Sequence, residues 1–396
     1  MRGKNKILIT CSKGIAPLLR EEVLSEGFPI VEESVAGIIT EGTLDDTMRL
    51  NLFIRTGQRV LFLVGEFDAV TADELYRGVS KITWENMIPE DGYLSVASNV
   101  STPLVRDSMY ANVKCKDAIV DRMAGRFGRR PDSGPRKDRT VVHLSWRERE
   151  CSVWLDTSGE PLSKRGYRKK PLEAPMQETL AAAVVLSTGW DDSGNFLNPM
   201  CGSGTLAVEA ALIGLRRAPG VFRTNFGFMH LKGYDKSLWE RMRADAVRRE
   251  RSGLTGRVLA TDVRREAVDA ARENAVAAGV GHILEFDVCD YSMSPVPPGG
   301  GVVVINPEYG LRMGRTEELG EVYRGIGDFF KQKCGGYKGF VFTGNPELSK
   351  AIGLRSRKRT QFYNGEVECR LIEFELYAGS RKQRTDDAPP GREDET

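Results

Sequence analysis

Short apolar runs alternate with amphipathic stretches from the first residues onward. Lys6 to Thr10 predicts a strand, and Ile15 to Glu26 a helix with Leu18, Leu19, Val23 and Leu24 turned inward. Val35 to Thr40 predicts a second strand, Leu44 to Ile54 a helix, and Val60 to Phe67 another strand. Residues 1–70 therefore form a small α+β unit. A second unit, 71–157, follows: Asp73 to Val79 and on through Trp84 helical, Tyr93 to Asn99 a strand, Tyr110 to Phe127 a helix. Gly128 to Arg139 is rich in Arg, Pro, Gly and Asp and predicts a loop. Val141 to Trp146 and Glu150 to Asp156 predict a hairpin. After a linker over 158–175, the pattern from Met176 to about residue 379 becomes alternating strands and helices, as in a parallel doubly wound α/β sheet. Residues 380–396 are polar and charged, with Pro, and are expected to be a disordered tail.

At 396 residues with 40% hydrophobic content, the chain is long enough for two or three packed domains. No run approaches the roughly 20 apolar residues of a membrane span. The apolar run after Lys4 is too short for a secretory signal, and the seven cysteines lack a C-x-x-C pair, so a cytoplasmic protein with reduced thiols is expected. Three scattered histidines argue against a metal site or a His-based triad. Net charge is only +2, but residues 101–170 hold 17 Lys/Arg against 9 Asp/Glu. Arg122, Arg126 and Arg129 share one helix face, and Arg165, Tyr167 and Arg168 lie in the linker. All six are candidate contacts to the phosphates of a nucleic acid.

Chemistry concentrates in the doubly wound region. The strand Asn195-Phe196-Leu197 leads into Asn198, Pro199, Met200, Cys201, Gly202, Ser203, Gly204 and Thr205, and then into a helix. A strand, a Gly-rich turn and a helix N-terminus place backbone N–H groups around a ligand at the carboxyl edge of a sheet. Two later strands end in carboxylates: Asp262, suited to the hydroxyls of a ribose, and Asp287, suited with Val288 to an adenine. A dinucleotide is the competing ligand. The turn lacks G-x-G-x-x-G, and Asp262 lies far beyond the spacing of about 20 residues expected for NAD. S-adenosyl-L-methionine fits better, with Arg216 to Gly256 read as an insertion.

Gly301 to Ile305 predicts a buried strand that delivers Asn306, Pro307, Glu308 and Tyr309. An exocyclic amine of a base is a poor nucleophile, because its lone pair is delocalised into the ring. The Asn306 side chain, which also borders the cofactor, and the Pro307 carbonyl can each accept one N–H. Together they would aim that lone pair, while Tyr309 offers a face for an extruded base.

Asn306-Pro307-Glu308-Tyr309 resembles the N-P-P-Y tetrapeptide of amino-group nucleic-acid methyltransferases. With Pro199 to Thr205 it is similar to the THUMP-domain RNA guanine-N2 methyltransferases, in particular the bacterial large-subunit ribosomal RNA enzymes of the RlmL type. The likeness extends to Arg165-Gly166-Tyr167-Arg168, Ala174-Pro175, Glu178 to Ala183, Tyr363-Asn364-Gly365 and Glu368 to Leu371. It implies a ferredoxin-like domain over 1–70, a THUMP domain over 71–157 that grips RNA, and a Rossmann-like class I methyltransferase domain over 176–379. It also implies a monomer acting on 23S ribosomal RNA. The alternatives are a transfer-RNA enzyme, a DNA enzyme, or an RNA-binding assembly factor with a relic cofactor pocket. Two positions depart from the family pattern. Asn198 stands where Asp is usual, which is expected to weaken cofactor binding, and Glu308 replaces the second proline.

Overall fold

The computed structural model describes residues 3–103, 105, 107–170, 172, 176–308 and 316–377. Ala174-Pro175, Tyr309 and the expected tail over 380–396 lie outside the described residues. The chain divides into two compact units, the first made of residues 1–168, 177–183 and 216–251, the second of 169–176, 184–215 and 252 onward.

In the first unit β1 (Asn5–Cys11), α1 (Ala16–Ser25), β2 (Glu32–Ser34), β3 (Gly37–Gly42), α2 (Leu44–Phe53) and β4 (Gly57–Asp68) follow in order. Then come α3 (Ala72–Lys81), β5 (Tyr93–Ser101), α4 (Ser108–Phe127), β6 (Asp132–Ser133), β7 (Thr140–Arg147) and β8 (Glu150–Asp156). The strands form one eight-stranded sheet ordered β2-β3-β1-β4-β8-β7-β5-β6. Local chemistry sets the helix starts: Thr43 with Asp46 and Thr71 with Glu74 make reciprocal capping boxes before α2 and α3.

The two α+β segments expected from sequence share this one sheet. Strand β4, at 12 residues, pairs with β1 through its first half and with β8 through its second, with a register shift between Leu63 and Gly65. One hydrophobic core runs beneath both halves, from Ile7, Leu19 and Phe62 to Trp84, Ile119 and Trp146. The expected insertion, Arg216 to Gly256, supplies part of that core. Phe226, Phe228 and Trp239, the last on α7 (Lys236–Arg248), are buried in it, with the two Phe rings stacked at 5.0 Å.

Helix α5 (Glu178–Ser187) is divided between the units. The second unit contains β9 (Asn195–Pro199), α6 (Thr205–Gly214), β10 (Val258–Asp262), α8 (Arg265–Ala277), β11 (Leu284–Val288) and β12 (Gly301–Ile305). It continues with α9 (Thr316–Lys333), β13 (Tyr337–Thr343), α10 (Pro346–Lys350), β14 (Ser356–Asn364) and β15 (Val367–Glu375). The sheet order is β11-β10-β9-β12-β13-β15-β14. Strands β9 to β13 are parallel, as the alternating pattern predicts, but β15 is antiparallel to both neighbours. It returns through a two-residue turn in which Gly365 takes φ +63°. Strand order reverses between β9 and β12, so a crevice opens there at the carboxyl ends.

Candidate active site

The β9–β12 ladder runs from Gly301 opposite Asn195 to Val303 opposite Leu197. One residue on, a side chain takes over: Asn198 Nδ2 donates to the Val304 carbonyl at 2.9 Å. Asn198 is 1% exposed, and its Oδ1 is buried without a hydrogen-bond partner among the described residues. An unmade buried acceptor is costly unless a ligand donor meets it.

After Pro199 the chain turns through Met200 at φ +56°, Gly202 at φ +55° and Gly204 at φ +79°. The Cys201 N–H donates to the Thr261 carbonyl at 2.9 Å and the Gly202 N–H to Asp262 Oδ2 at 3.0 Å, so the end of β10 fastens the turn. Burial pushes the Cys201 thiol up, so it stays protonated. A Cβ on Gly204 would lie 2.7 Å from Ala271 Cβ, whereas one on Gly202 would meet nothing within 4 Å. Gly204 thus lets α6 approach α8, and Gly202 faces open space. Ser203 is held from behind, its carbonyl accepting from Asn274 Nδ2 at 3.0 Å. Thr205 opens α6, whose N-terminus has no side-chain cap and no acidic residue in its first turn. Its N–H groups and dipole suit a carboxylate.

Asp262 ends β10 with its side chain 7% exposed, Oδ1 accepting from the Arg264 N–H at 3.0 Å. Val288 is in register with it on β11. Asp287 is not placed as expected. It is in register with Thr261, whose hydroxyl meets Ser294 in the interior at 2.5 Å, and residues alternate faces along a strand. Asp287 is exposed and points to the face opposite Asp262 and Val288. Sequence reasoning passed over Asp290. It follows Cys289, whose N–H donates to the Asp262 carbonyl at 3.1 Å, and its Oδ1 accepts from Ser292 N–H and Oγ. The cue was there: Asp two residues before Ser, in a turn just past a strand end.

Across the reversal, β12 delivers a half-buried Asn306, a buried Pro307 and Glu308, whose side chain is exposed. Tyr323 of α9 donates to the Glu308 carbonyl at 3.4 Å. Asn306 and Pro307 thus stand at the carboxyl end of the strand beside β9 and its glycine turn.

The basic residues separate sharply. Arg165 and Tyr167 are interior, 1% and 2% exposed. Arg165 donates to the carbonyl of Leu162 at 2.8 Å and to that of Arg55 at 2.5 Å. Both are removed as RNA contacts, because their polar and ring atoms are spent on packing. Arg168 donates to Glu178 at 3.0 Å. Arg122 is committed too, bidentate to Glu85 at 2.7 Å and bonded to the Ser80 carbonyl at 2.8 Å. Those bonds hold the Glu85 carboxyl down at about 2. Arg126 and Arg129 remain exposed, although Arg126 Nε donates to Glu85 at 3.1 Å and Arg129 lies 3.5 Å from Glu90. Arg130, which pairs with Asp121, and Arg136, Lys137 and Arg139 are exposed too.

The reversed strand order, the antiparallel last hairpin and the glycine turn tied to a strand-terminal carboxylate define a class I methyltransferase fold. The comparisons agree. Residues 165–373 match the family described as RMKL-like, methyltransferase domain, residues 6–61 an RlmL ferredoxin-like domain, and residues 69–156 a THUMP domain. Over 381 residues the chain is 37% identical to ribosomal RNA large subunit methyltransferase K/L of Syntrophotalea carbinolica, covering 94% of this chain and 53% of that protein. It is 33% identical to slr0064 of Synechocystis, a provisionally assigned RNA methyltransferase, over 93% of this chain and 96% of that one. SMU.472, a provisionally assigned methyltransferase complexed with SAH, superposes with a TM-score of 0.87 at 27% identity, covering 96% of this chain and all of that one.

The chain belongs to the RMKL-like methyltransferase family, with RlmL-type ferredoxin-like and THUMP domains ahead of the methyltransferase domain. It spans about half the length of the curated K/L relatives it matches. Among the described residues, no helix is long and apolar enough to cross a membrane.

Proposed function

We propose that the chain methylates the N2 amine of a guanosine in RNA, with 23S ribosomal RNA as substrate. The observation that carries the reading is the placement of Asn306 and Pro307 at the end of β12, one strand from the glycine turn. The names of the K/L relatives supply the ribosomal substrate, and the THUMP match with its exposed arginine face suits RNA.

The residues fit S-adenosylmethionine. The uncapped α6 N-terminus suits its carboxylate, the unpartnered Asn198 Oδ1 its ammonium, and Asp262 its ribose hydroxyls. Val288 and Asp290, in place of Asp287, border the adenine end. When bound, the cofactor supplies an activated methyl on a sulfonium, a good leaving group. Asn306 accepts one amine N–H through its side chain and Pro307 accepts the other through its carbonyl. The nitrogen lone pair is thereby turned toward the crevice, and positioning of this kind can supply much of a rate enhancement. Tyr309 stacks on the extruded base.

Purified protein, labelled cofactor and undermodified ribosomal RNA test this. Digestion to nucleosides should yield N2-methylguanosine, and Asn306→Ala should lower the single-turnover rate by roughly a hundredfold. A labelled N6-methyladenosine, or label in transfer RNA alone, would replace the substrate. No label in any RNA would favour the assembly-factor reading.

A further inference from the structure

Behind the acceptor loop lies a chain of three hydrogen bonds. The Asn345 N–H donates to Thr343 Oγ1 at 3.0 Å, Thr343 Oγ1 and the Tyr323 hydroxyl are 2.7 Å apart, and the Tyr323 hydroxyl reaches the Glu308 carbonyl at 3.4 Å. Its ends fix its direction. A backbone N–H can only donate and a carbonyl can only accept. Each hydroxyl has one proton. Glu308 takes that of Tyr323, so Tyr323 in turn accepts that of Thr343. Tyr323 and Thr343 are 0% and 1% exposed, so water does not compete for these bonds. Burial pushes the Tyr323 phenol up to about 12, so it is a donor throughout the working pH range.

The chain joins the ends of two parallel neighbours. Thr343 is the last residue of β13, and Glu308 lies just past β12, whose ladder with β13 ends at Ile305 opposite Val341. Among the described residues that pairing ends three residues before Glu308. We propose that Tyr323 is a positioning residue for methyl transfer: with Thr343 it anchors the Glu308 carbonyl to β13 and so holds Asn306 and Pro307 in register with the crevice. This rests on the reading that the loop presents the amine. It gives α9 a part in the reaction through one atom, the phenolic oxygen.

Tyr323→Phe deletes only that oxygen. With saturating cofactor and RNA, its single-turnover rate should fall roughly three- to tenfold, the worth of one ordinary hydrogen bond. Cofactor affinity by calorimetry should stay at the wild-type value. Thr343→Val should do the same and Thr343→Ser should restore the rate. The double variant should be no worse than either single, because both remove one chain. In cofactor-free protein, the peptide carrying Asn306 and Glu308 should exchange its amide hydrogens faster in Tyr323→Phe. A wild-type rate for Tyr323→Phe, unchanged exchange, or additive effects of the two substitutions would overturn the tie. Asn306→Ala run beside them separates the two levels: if it too is fully active the acceptor reading fails, whereas if it alone is impaired only the tie fails.

Discussion

The carboxylate of Asp262 accepts from the backbone N–H of Gly202 at 3.0 Å, across two neighbouring parallel strands. A residue read from sequence as a ribose ligand is thus also the fastener of the glycine turn. Its second oxygen is oriented by the Arg264 N–H. One side chain presets both the loop and the ligand-facing charge.

Asp262→Ala should weaken S-adenosylmethionine binding by about ten- to a hundredfold, the worth of a charge-assisted hydrogen bond of roughly 1.5–3 kcal/mol. Calorimetry measures it, with circular dichroism as the check on folding. Unchanged affinity would remove Asp262 from the site.

Two glycines in one turn should behave differently. Gly204→Ala meets both a left-handed φ and Ala271 at 2.7 Å, so it should lose about 2–4 kcal/mol of stability. Gly202→Ala carries only the backbone strain, roughly 1–2 kcal/mol, and should instead weaken cofactor binding. Denaturant unfolding of the two variants decides it. Equal losses would mean that α6–α8 packing does not set the requirement.

Stability should fall in acid through Glu85. Hydrogen bonds from Arg122 hold its carboxyl at about 2, below the ordinary 4.5, and the side chain is 12% exposed. In that window the unfolded chain binds a proton that the folded chain does not. The contribution is therefore complete above the ordinary glutamate range and is lost as pH falls toward 2. Glu85→Gln should cost roughly 1.5–3 kcal/mol at neutral pH and flatten the fall between about pH 4.5 and pH 2. Urea titrations across that range provide the measurement. A variant as steep as wild type would assign the acid sensitivity elsewhere.

The arginines should divide by burial. Replacing Arg126, Arg129 and Arg130 together with Ala should weaken RNA binding and lower the slope of log affinity against log salt by up to about three, one per lost phosphate contact. Arg165→Ala should leave the slope alone and destabilise the fold, because the carbonyls of Leu162 and Arg55 lose their donor. A reduced slope in Arg165→Ala would return that residue to the RNA face.

The glycine turn, the strand-terminal Asp262 and the acceptor tetrapeptide were legible in the chain, because each is a local arrangement. A tight turn demands residues that tolerate positive φ, a parallel sheet demands continuous apolar strands, and strand ends at one edge carry the polar residues. The class of fold followed from those demands and from the resemblance they carry. What the chain alone could not reveal is which polar groups are spent on the protein itself. Arg165 and Arg126 look alike in sequence, and only packing makes one a clamp on interior carbonyls and leaves the other exposed on the surface beside Glu85. Asp287 seemed right by order, but register with Thr261 turned it to the wrong face, since a one-residue offset in a strand reverses direction. Likewise, Arg216 to Gly256 read as an insertion within one domain, yet residues 216–251 belong to the first unit, and their aromatic residues complete its core. Sequence determined the local geometries that cost free energy wherever they occur. Tertiary structure decided burial, facing and partnership, because these depend on residues distant in the chain that become neighbours only on folding.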